Sequence, residues 1–264
     1  MLTANTLAFD IETIPDTELA AKLFDLKDLS PEDQLRALRV KRVEKTGNSD
    51  FFAHHMHRII AISAALRSRD GFKIWTLGEP DSSEAELLER FFRGLDRFDP
   101  VLISWNGTGF DLPVIHYRSL LHSVTSSRYW EVGENDRSFR YNNYSNRFHW
   151  RHIDLMDVLA GFQGRASAPL HEIAMMLDLP GKIGMNGGDV WDAYIGNHID
   201  TIRNYCETDV LNTYLIYLRF ERIRGNLSAI EFRKETDLVR STVEEESQPH
   251  LDEFLLHWPR GNSD

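Results

Sequence analysis

Apolar residues recur along this chain in two rhythms, and together they predict an alternation of strands and helices. Leu7-Ala8-Phe9-Asp10-Ile11-Glu12-Thr13 predicts a short buried strand over residues 6 to 12, ending in two carboxylates and stopped by Pro15. Arg58 to Leu66, rich in isoleucine and alanine, and Phe72 to Leu77 read as two more strands. The turn residues Arg69-Asp70-Gly71 join them as a hairpin. Leu87, Leu88, Phe91, Phe92 and Leu95 follow the helical spacing of three and four. That helix is capped by Asp81-Ser82-Ser83-Glu84 and runs to about Phe98, where Asp99-Pro100 ends it. Its apolar stripe is core. Val101 to Ser104 is a short apolar strand, parallel to the first because a helix crossover precedes it.

The remaining stretches fill in around these. Residues 16 to about 50 read as a helical insertion: Glu18 to Leu29 is one segment, and Ser30-Pro31-Glu32-Asp33 opens another. A helix follows Asp111 to about Leu121, another runs from Pro169 to Leu179, and His152 to Asp157 is a strand end entering a helix. Pro180 to Gly188 is a mobile, glycine-rich loop. From Ile199 the chain is helical, closing with helices at about 227 to 246 and 249 to 257. The order predicts an α/β protein with a mixed central β-sheet flanked by helices. No internal repeat or disordered linker interrupts it. The expected division is one domain over 1–264, with a helical C-terminal embellishment at about 219–264.

Composition narrows the functional classes. The chain has 264 residues, 42% of them hydrophobic and 11% aromatic, enough for one sizeable core. No apolar run is long enough to span a bilayer, and no basic-then-apolar leader opens the sequence, so no membrane partner is expected. Cys206 is the only cysteine, which excludes an intrachain disulfide and fits a reducing, cytoplasmic location. The net charge of −11 weighs against nucleic-acid binding through a broad basic surface. It leaves room for an enzyme that grips a strand end through bound metals and a local basic patch.

Candidate chemistry begins with the first strand. Asp10 and Glu12 lie two apart and so face the same way. Like charges beside apolar neighbours are costly unless a cation sits between them. Carboxylate oxygens suit hard divalent ions; the plainer alternative is a strand running out into an acidic loop. Asp111 sits where a helix cap belongs, after the Asn106-Gly107 turn. Tyr205 and Asp209, four apart on a helix, share a face.

Other features stay open or turn structural. Arg36, Arg39, Lys41, Arg42 and Lys45 form a solvated basic helix face or a phosphate-contacting arm, the solvated face being favoured. His54-His55-Met56-His57 lacks cysteine or histidine partners at zinc spacing and reads as ordinary histidines at a strand entrance. Residues 125 to 151 mix arginines with rings, including Phe139, Tyr144 and Arg151. They either stack single strands or pack on the core. Lys182 is a surface lysine or a phosphate contact. The glycines match neither a P-loop nor a dinucleotide fingerprint, which excludes a nucleotide-dependent oxidoreductase.

Taken in order, Phe9-Asp10-Ile11-Glu12-Thr13, then Asn106-x-x-x-Phe110-Asp111, then Tyr205-x-x-x-Asp209 resembles the three exonuclease motifs of the DEDD superfamily. The tyrosine four before the last aspartate resembles the tyrosine branch. The chain looks most like stand-alone predicted 3′–5′ exonucleases related to the proofreading domain of family B DNA polymerases. The resemblance covers nearly the whole chain and includes no polymerase module.

The resemblance implies a ribonuclease H-like fold and two divalent metal ions, Mg2+ or Mn2+. It implies that Asp10 bridges both metals, that Glu12 and Asp209 complete the site holding the attacking water, and that Asp111 acts near the second metal. Tyr205 would orient the water; a phenol titrating near pH 10 is a poor base at neutral pH. Thr13, Asn106 and Phe110 would contact the terminal nucleotide, and Lys182 is added as a phosphate ligand. The expected reaction is hydrolysis of nucleic acid from a free 3′ end to nucleoside 5′-monophosphates, with single-stranded DNA favoured over RNA. Two alternatives are an exoribonuclease of the same chemistry and a non-catalytic nucleic-acid-binding domain on the same fold. All four acids and the tyrosine are present, which argues against the second.

Overall fold

The computed structural model describes residues 4–259; the ends of the expected domain, 1–3 and 260–264, lie outside the described residues. The sheet is built outward from β1 (Thr6–Pro15), which runs three residues past its expected end. Pro15 closes it without breaking it, since a proline at the last position removes only one ladder donor. β1 pairs antiparallel with β2 (His57–Ser68), and β2 pairs antiparallel with β3 (Gly71–Thr76), as the hairpin pattern predicts. On its other side β1 runs parallel to β4 (Val101–Ser104), which runs parallel to β5 (His152–Asp154). The sheet is mixed and five-stranded, in the order β3-β2-β1-β4-β5.

The helices, in chain order, are α1 (Thr17–Phe24), α2 (Pro31–Thr46), α3 (Glu84–Phe98), α4 (Asp111–His122), α5 (Leu155–Leu159), α6 (Leu170–Met176), α7 (Val190–Ile195), α8 (Ile199–Ile223), α9 (Ala229–Glu246) and α10 (Pro249–His257). None among the described residues is long and apolar enough to cross a membrane. α1 is shorter than expected because Asp25 turns left-handed at its end. Ser30, Ser83 and Ser228 each cap a helix through the side-chain oxygen.

Alternation along β1 decides which helices cover which face. Leu7, Phe9 and Ile11 pack with Leu87, Phe91 and Leu95 of α3 and with Leu112 and Ile115 of α4. Ala8 joins Val210, Leu211 and Tyr214 of α8 on the other face. Every residue of α8 from Tyr205 to Leu218 is buried, because the sheet covers one side of it and α9 and α10 cover much of the rest. Val239, Val243, Leu251 and Phe254 join this second core. Shortening any of these core leucines or valines would cost about 1–5 kcal/mol.

Residues 125 to 151 are irregular, as expected, and their central rings belong to the core. Tyr129, Phe139 and Tyr144 are fully buried. The guanidinium of Arg151 lies 3.7 Å from the Phe139 ring centre, and that of Arg128 lies 4.2 Å from it. The packing alternative therefore holds for these residues.

Candidate active site

Asp10 and Glu12 lie on the face of β1 that meets α8, in line with Ala8 and Ile14. A β-bulge falls between Glu12 and Thr13, where β2 carries an extra residue opposite them. Bulges re-aim side chains, and this one sits at the end of the acidic pair.

The open edge of β1 admits the third acid. Pairing with β4 ends at Ala8 and Ile103, so the later N–H groups of β1 on that side have no strand partner. Asp111 Oδ1 accepts the Ile11 N–H at 3.2 Å. Asp111 is not the helix cap that its sequence position suggests. Phe110 occupies the cap position without a side-chain bond, and Asp111 is the first residue of α4.

The turn leading to it is fixed by Asp154, whose carboxylate accepts the N–H groups of Asn106 at 2.9 Å and Thr108 at 2.8 Å. Asn106 has φ of 64°, the left-handed region that asparagine tolerates. Gly107 is required, because a Cβ there would lie 2.3 Å from Ser104 Oγ.

α8 brings the remaining groups. Tyr205 packs against Ile14, Met185 and Val190. Asp209, one turn on, lies within hydrogen-bonding influence of the Tyr205 hydroxyl, and its Oδ1 is buried without a partner. Cys206 belongs to the same cluster: its thiol donates to the Asp10 carbonyl at 3.5 Å and to Asp10 Oδ2 at 3.7 Å. Ligand atoms of Asp10, Glu12 and Cys206 lie within 4.8 Å of one another. From the sequence, Cys206 reads only as a mark of a reducing location. Its position three before Asp209, hence on a neighbouring helix face, was the available signal.

Lys182 faces these acids. Its ammonium lies 5.4 Å from the centre of the Tyr205 ring, and its charge lowers the pKa of both Glu12 and Asp209. The loop is tied to α8 by Asn212, which accepts the Gly181 N–H at 3.1 Å and donates to the Gly181 carbonyl at 2.8 Å. Gly181 has φ of +65°, and a Cβ there would lie 2.5 Å from His171 Nδ1. That same nitrogen accepts the Lys182 N–H at 3.1 Å. After a short 3-10 turn the loop enters α7, a helix that the sequence pattern did not suggest.

One lysine does not offset four acids, of which Glu12, Asp111 and Asp209 are buried and Asp10 is half-buried. Burial first, then the charges of Asp111, Glu12 and Asp209, holds Asp10 well above the usual carboxylate range. Burial and Asp209 do the same to Glu12. Burial, with help from Asp154, pushes Asp111 up to about 7 against the Ile11 N–H. Burial raises Asp209 to about 6 despite Lys182, Tyr205 and His171. The Tyr205 phenol is also raised, by burial and then by Asp209, Glu12 and Asp10, so it remains a donor at neutral pH. Burial keeps the Cys206 thiol protonated in the same way.

This donor set fits divalent cations. The oxygens are carboxylate, the other acids raise Asp10 and Glu12, and Asp209 Oδ1 lacks a partner that a cation can supply.

The residues expected to touch a nucleotide lie beside the acids. The Thr13 hydroxyl is 2.9 Å from His57 Nδ1, and the Phe110 ring meets the His57 ring edge-on at 5.0 Å. Burial lowers His57 to about 4, so its imidazole is neutral and can accept the Thr13 proton. Asn106 Oδ1 lies under Gly109, where a Cβ would be 2.3 Å away.

Residues 49–258, about four-fifths of the chain, match a family described as "Predicted 3′-5′ exonuclease related to the exonuclease domain of PolB". The chain belongs to this family. No curated protein matches it. Among the family's residues in this chain are Asn106, Phe110, Asp111, Lys182, Tyr205 and Asp209; the match is narrower than the near-complete coverage expected. Asp10, Glu12 and Thr13 precede it, yet β1 is the central strand of the sheet and carries them to the other acids.

Proposed function

We propose that this family member is a metal-dependent 3′–5′ exonuclease of the tyrosine branch of the DEDD superfamily, with a ribonuclease H-like fold spanning the chain. The observation that carries the reading is the uncompensated cluster of Asp10, Glu12, Asp111 and Asp209 beneath Tyr205. Asp10 would hold both of two Mg2+ or Mn2+ ions, with Glu12 and Asp209 completing one site and Asp111 serving the other. When bound, such ions supply the positive charge and the lowered water pKa that phosphodiester hydrolysis requires.

The chain's own residues do the rest. Tyr205, protonated and held against Asp209, orients the attacking water through its hydroxyl. Lys182, fixed by the Asn212 and His171 contacts of its loop, meets a phosphate oxygen as a point charge. Thr13 gives its proton to His57 and so offers lone pairs to the terminal 3′ hydroxyl. Phe110 and Asn106 bound the terminal nucleotide. The relation to a DNA polymerase exonuclease favours single-stranded DNA as substrate.

A degradation time course tests this. A 5′-labelled single-stranded DNA and a matching RNA are incubated with Mn2+ or Mg2+, with EDTA and Asp10→Ala as controls. The expected result is a ladder shortening from the 3′ end, absent from both controls and faster for DNA. No cleavage of either strand by the folded protein with metal would favour the non-catalytic binding domain.

A further inference from the structure

Part of α2 that the proposed chemistry leaves unused lies along the edge of a groove. Leu38, Lys41, Arg42 and Lys45 follow the spacing i, i+3, i+4, i+7, which puts them on one face of the helix. Leu38 is buried with Ala20 of α1 and with Met56. From there the row turns from apolar to basic as it runs out to Lys45. These residues line a groove of about 440 Å3 between α1, α2 and the segment before β2. Its deeper lining is apolar, from Leu38, Phe52 and Met56. On the α1 side it is bordered by Leu23, 54% exposed, and Phe24, 39% exposed.

The basic edge is partly fixed in place. Arg42 Nε donates to the Phe51 carbonyl at 2.7 Å, and the Lys41 ammonium lies 5.0 Å from the centre of the Phe24 ring. Among the described lining residues Glu44 is the one acid, against three cations.

Scattered exposed apolar residues need no explanation, and a basic helix face is ordinarily just solvated. Here the two share one groove, in a chain whose net charge is −11. An acidic ligand is repelled by most of such a surface and attracted at this place. The apolar lining calls for a ligand that carries apolar side chains as well. It disfavours a nucleic-acid strand, because Lys41 covers the Phe24 ring and Leu23, Leu38 and Met56 offer no π face for a base.

We propose that this groove docks an acidic segment of a partner protein, its apolar side chains between α1 and α2 and its carboxylates on Lys41, Arg42 and Lys45. α1 and α2 precede the residues that match the family, and no residue proposed to hold metal, water or nucleotide lines the groove. The docking therefore stands apart from the exonuclease reading. It also brings the partner near the acids: Met56 lines the groove, and the next residue, His57, contacts Thr13.

Fluorescence anisotropy of two labelled peptides tests this. One alternates glutamate with leucine, and the other sets leucines at helical spacing among glutamates. Matched peptides with lysine for glutamate, or with serine for leucine, are the controls, and labelled oligothymidylate is the nucleic-acid probe. At least one acidic apolar peptide should bind the native chain saturably and more weakly as salt rises, and neither control should bind. The double variant Lys41→Glu, Lys45→Glu and the single variant Leu23→Ser should each weaken that binding about tenfold, with the circular dichroism spectrum unchanged. No binding of either acidic peptide, or binding that both variants leave unchanged, overturns the proposal. So does oligothymidylate that displaces the peptide and loses affinity in the charge-reversed variant, since the groove would then hold a nucleic-acid strand.

Discussion

Two groups of carboxylates in this fold are neutralised in opposite ways. In the first, Glu84 and Asp16 surround Arg118. The guanidinium meets Glu84 at 2.8 and 2.6 Å and also bonds Asp16. The remaining oxygen capacity goes to the Ile59 N–H at 2.6 Å, to His122 at 2.7 Å and to the Leu19 N–H at 2.8 Å. In the second, Lys182 acts on Glu12 and Asp209 alone, Asp10 and Asp111 accept the Cys206 thiol and the Ile11 N–H, and Asp209 Oδ1 has no partner among the described residues. The first group is neutralised by the fold and ties α1, α3, α4 and β2 together. The second is left short of positive charge, and the proposed divalent ions would supply it.

The largest effects should separate the groups completely. Asp10→Ala or Asp209→Ala should abolish hydrolysis and leave the melting temperature of metal-free protein unchanged or higher, because it removes a repelling charge. Activity surviving either change would sink the metal assignment. Arg118→Ala should do the reverse: it strands two buried carboxylates and should cost about 3–5 kcal/mol of stability in a denaturant titration. A cost near zero would mean that water reaches Glu84 and Asp16.

The next effect is on pH. Asp111 and Asp209 titrate in the fold near 7 and near 6, against about 4 for free carboxyls. Between those limits the folded state binds more protons than the unfolded one, so metal-free stability should fall as pH rises from about 4 through 7. Saturating Mn2+ should offset this at pH 7.5, adding about 2.7 kcal/mol at a hundredfold excess over Kd. Thermal melts with EDTA and with Mn2+ check both signs; a metal-free melting temperature that climbs over this range would contradict the cluster's electrostatics.

Smaller effects sharpen the assignment within the second group. Tyr205→Phe should slow turnover about 10–100-fold with Mn2+ affinity within twofold. Strong loss of metal binding instead would show that the hydroxyl holds the site together. Cys206→Ser, which keeps a donor toward Asp10, should change kcat less than threefold. A larger fall would make the thiol a ligand rather than a donor.

Much of the scaffold was legible from local rhythm. Leu87, Leu88, Phe91, Phe92 and Leu95 read as a helix stripe and are all buried. Asp10 and Glu12 read as a same-face pair and lie together. What escaped was set by tertiary contact. α7, only six residues after a glycine-rich loop, is held mainly by packing on β1 and α8 rather than by intrinsic preference. Asp111 looks like a cap because a cap and a residue reaching across to Ile11 occupy adjacent positions in the chain. His54-His55-Met56-His57 reads as ordinary histidines because its partners, Thr13 and Gly109, lie 44 and 55 residues away along the chain.

The most direct measurement is calorimetric titration of Mn2+ into metal-free protein at pH 7.5, for the native chain, Asp10→Asn and Glu84→Gln. The account predicts saturable binding of two ions by the native chain, loss of that binding in Asp10→Asn, and its retention in Glu84→Gln. Absence of binding to the native chain, or equal binding by Asp10→Asn, would contradict it.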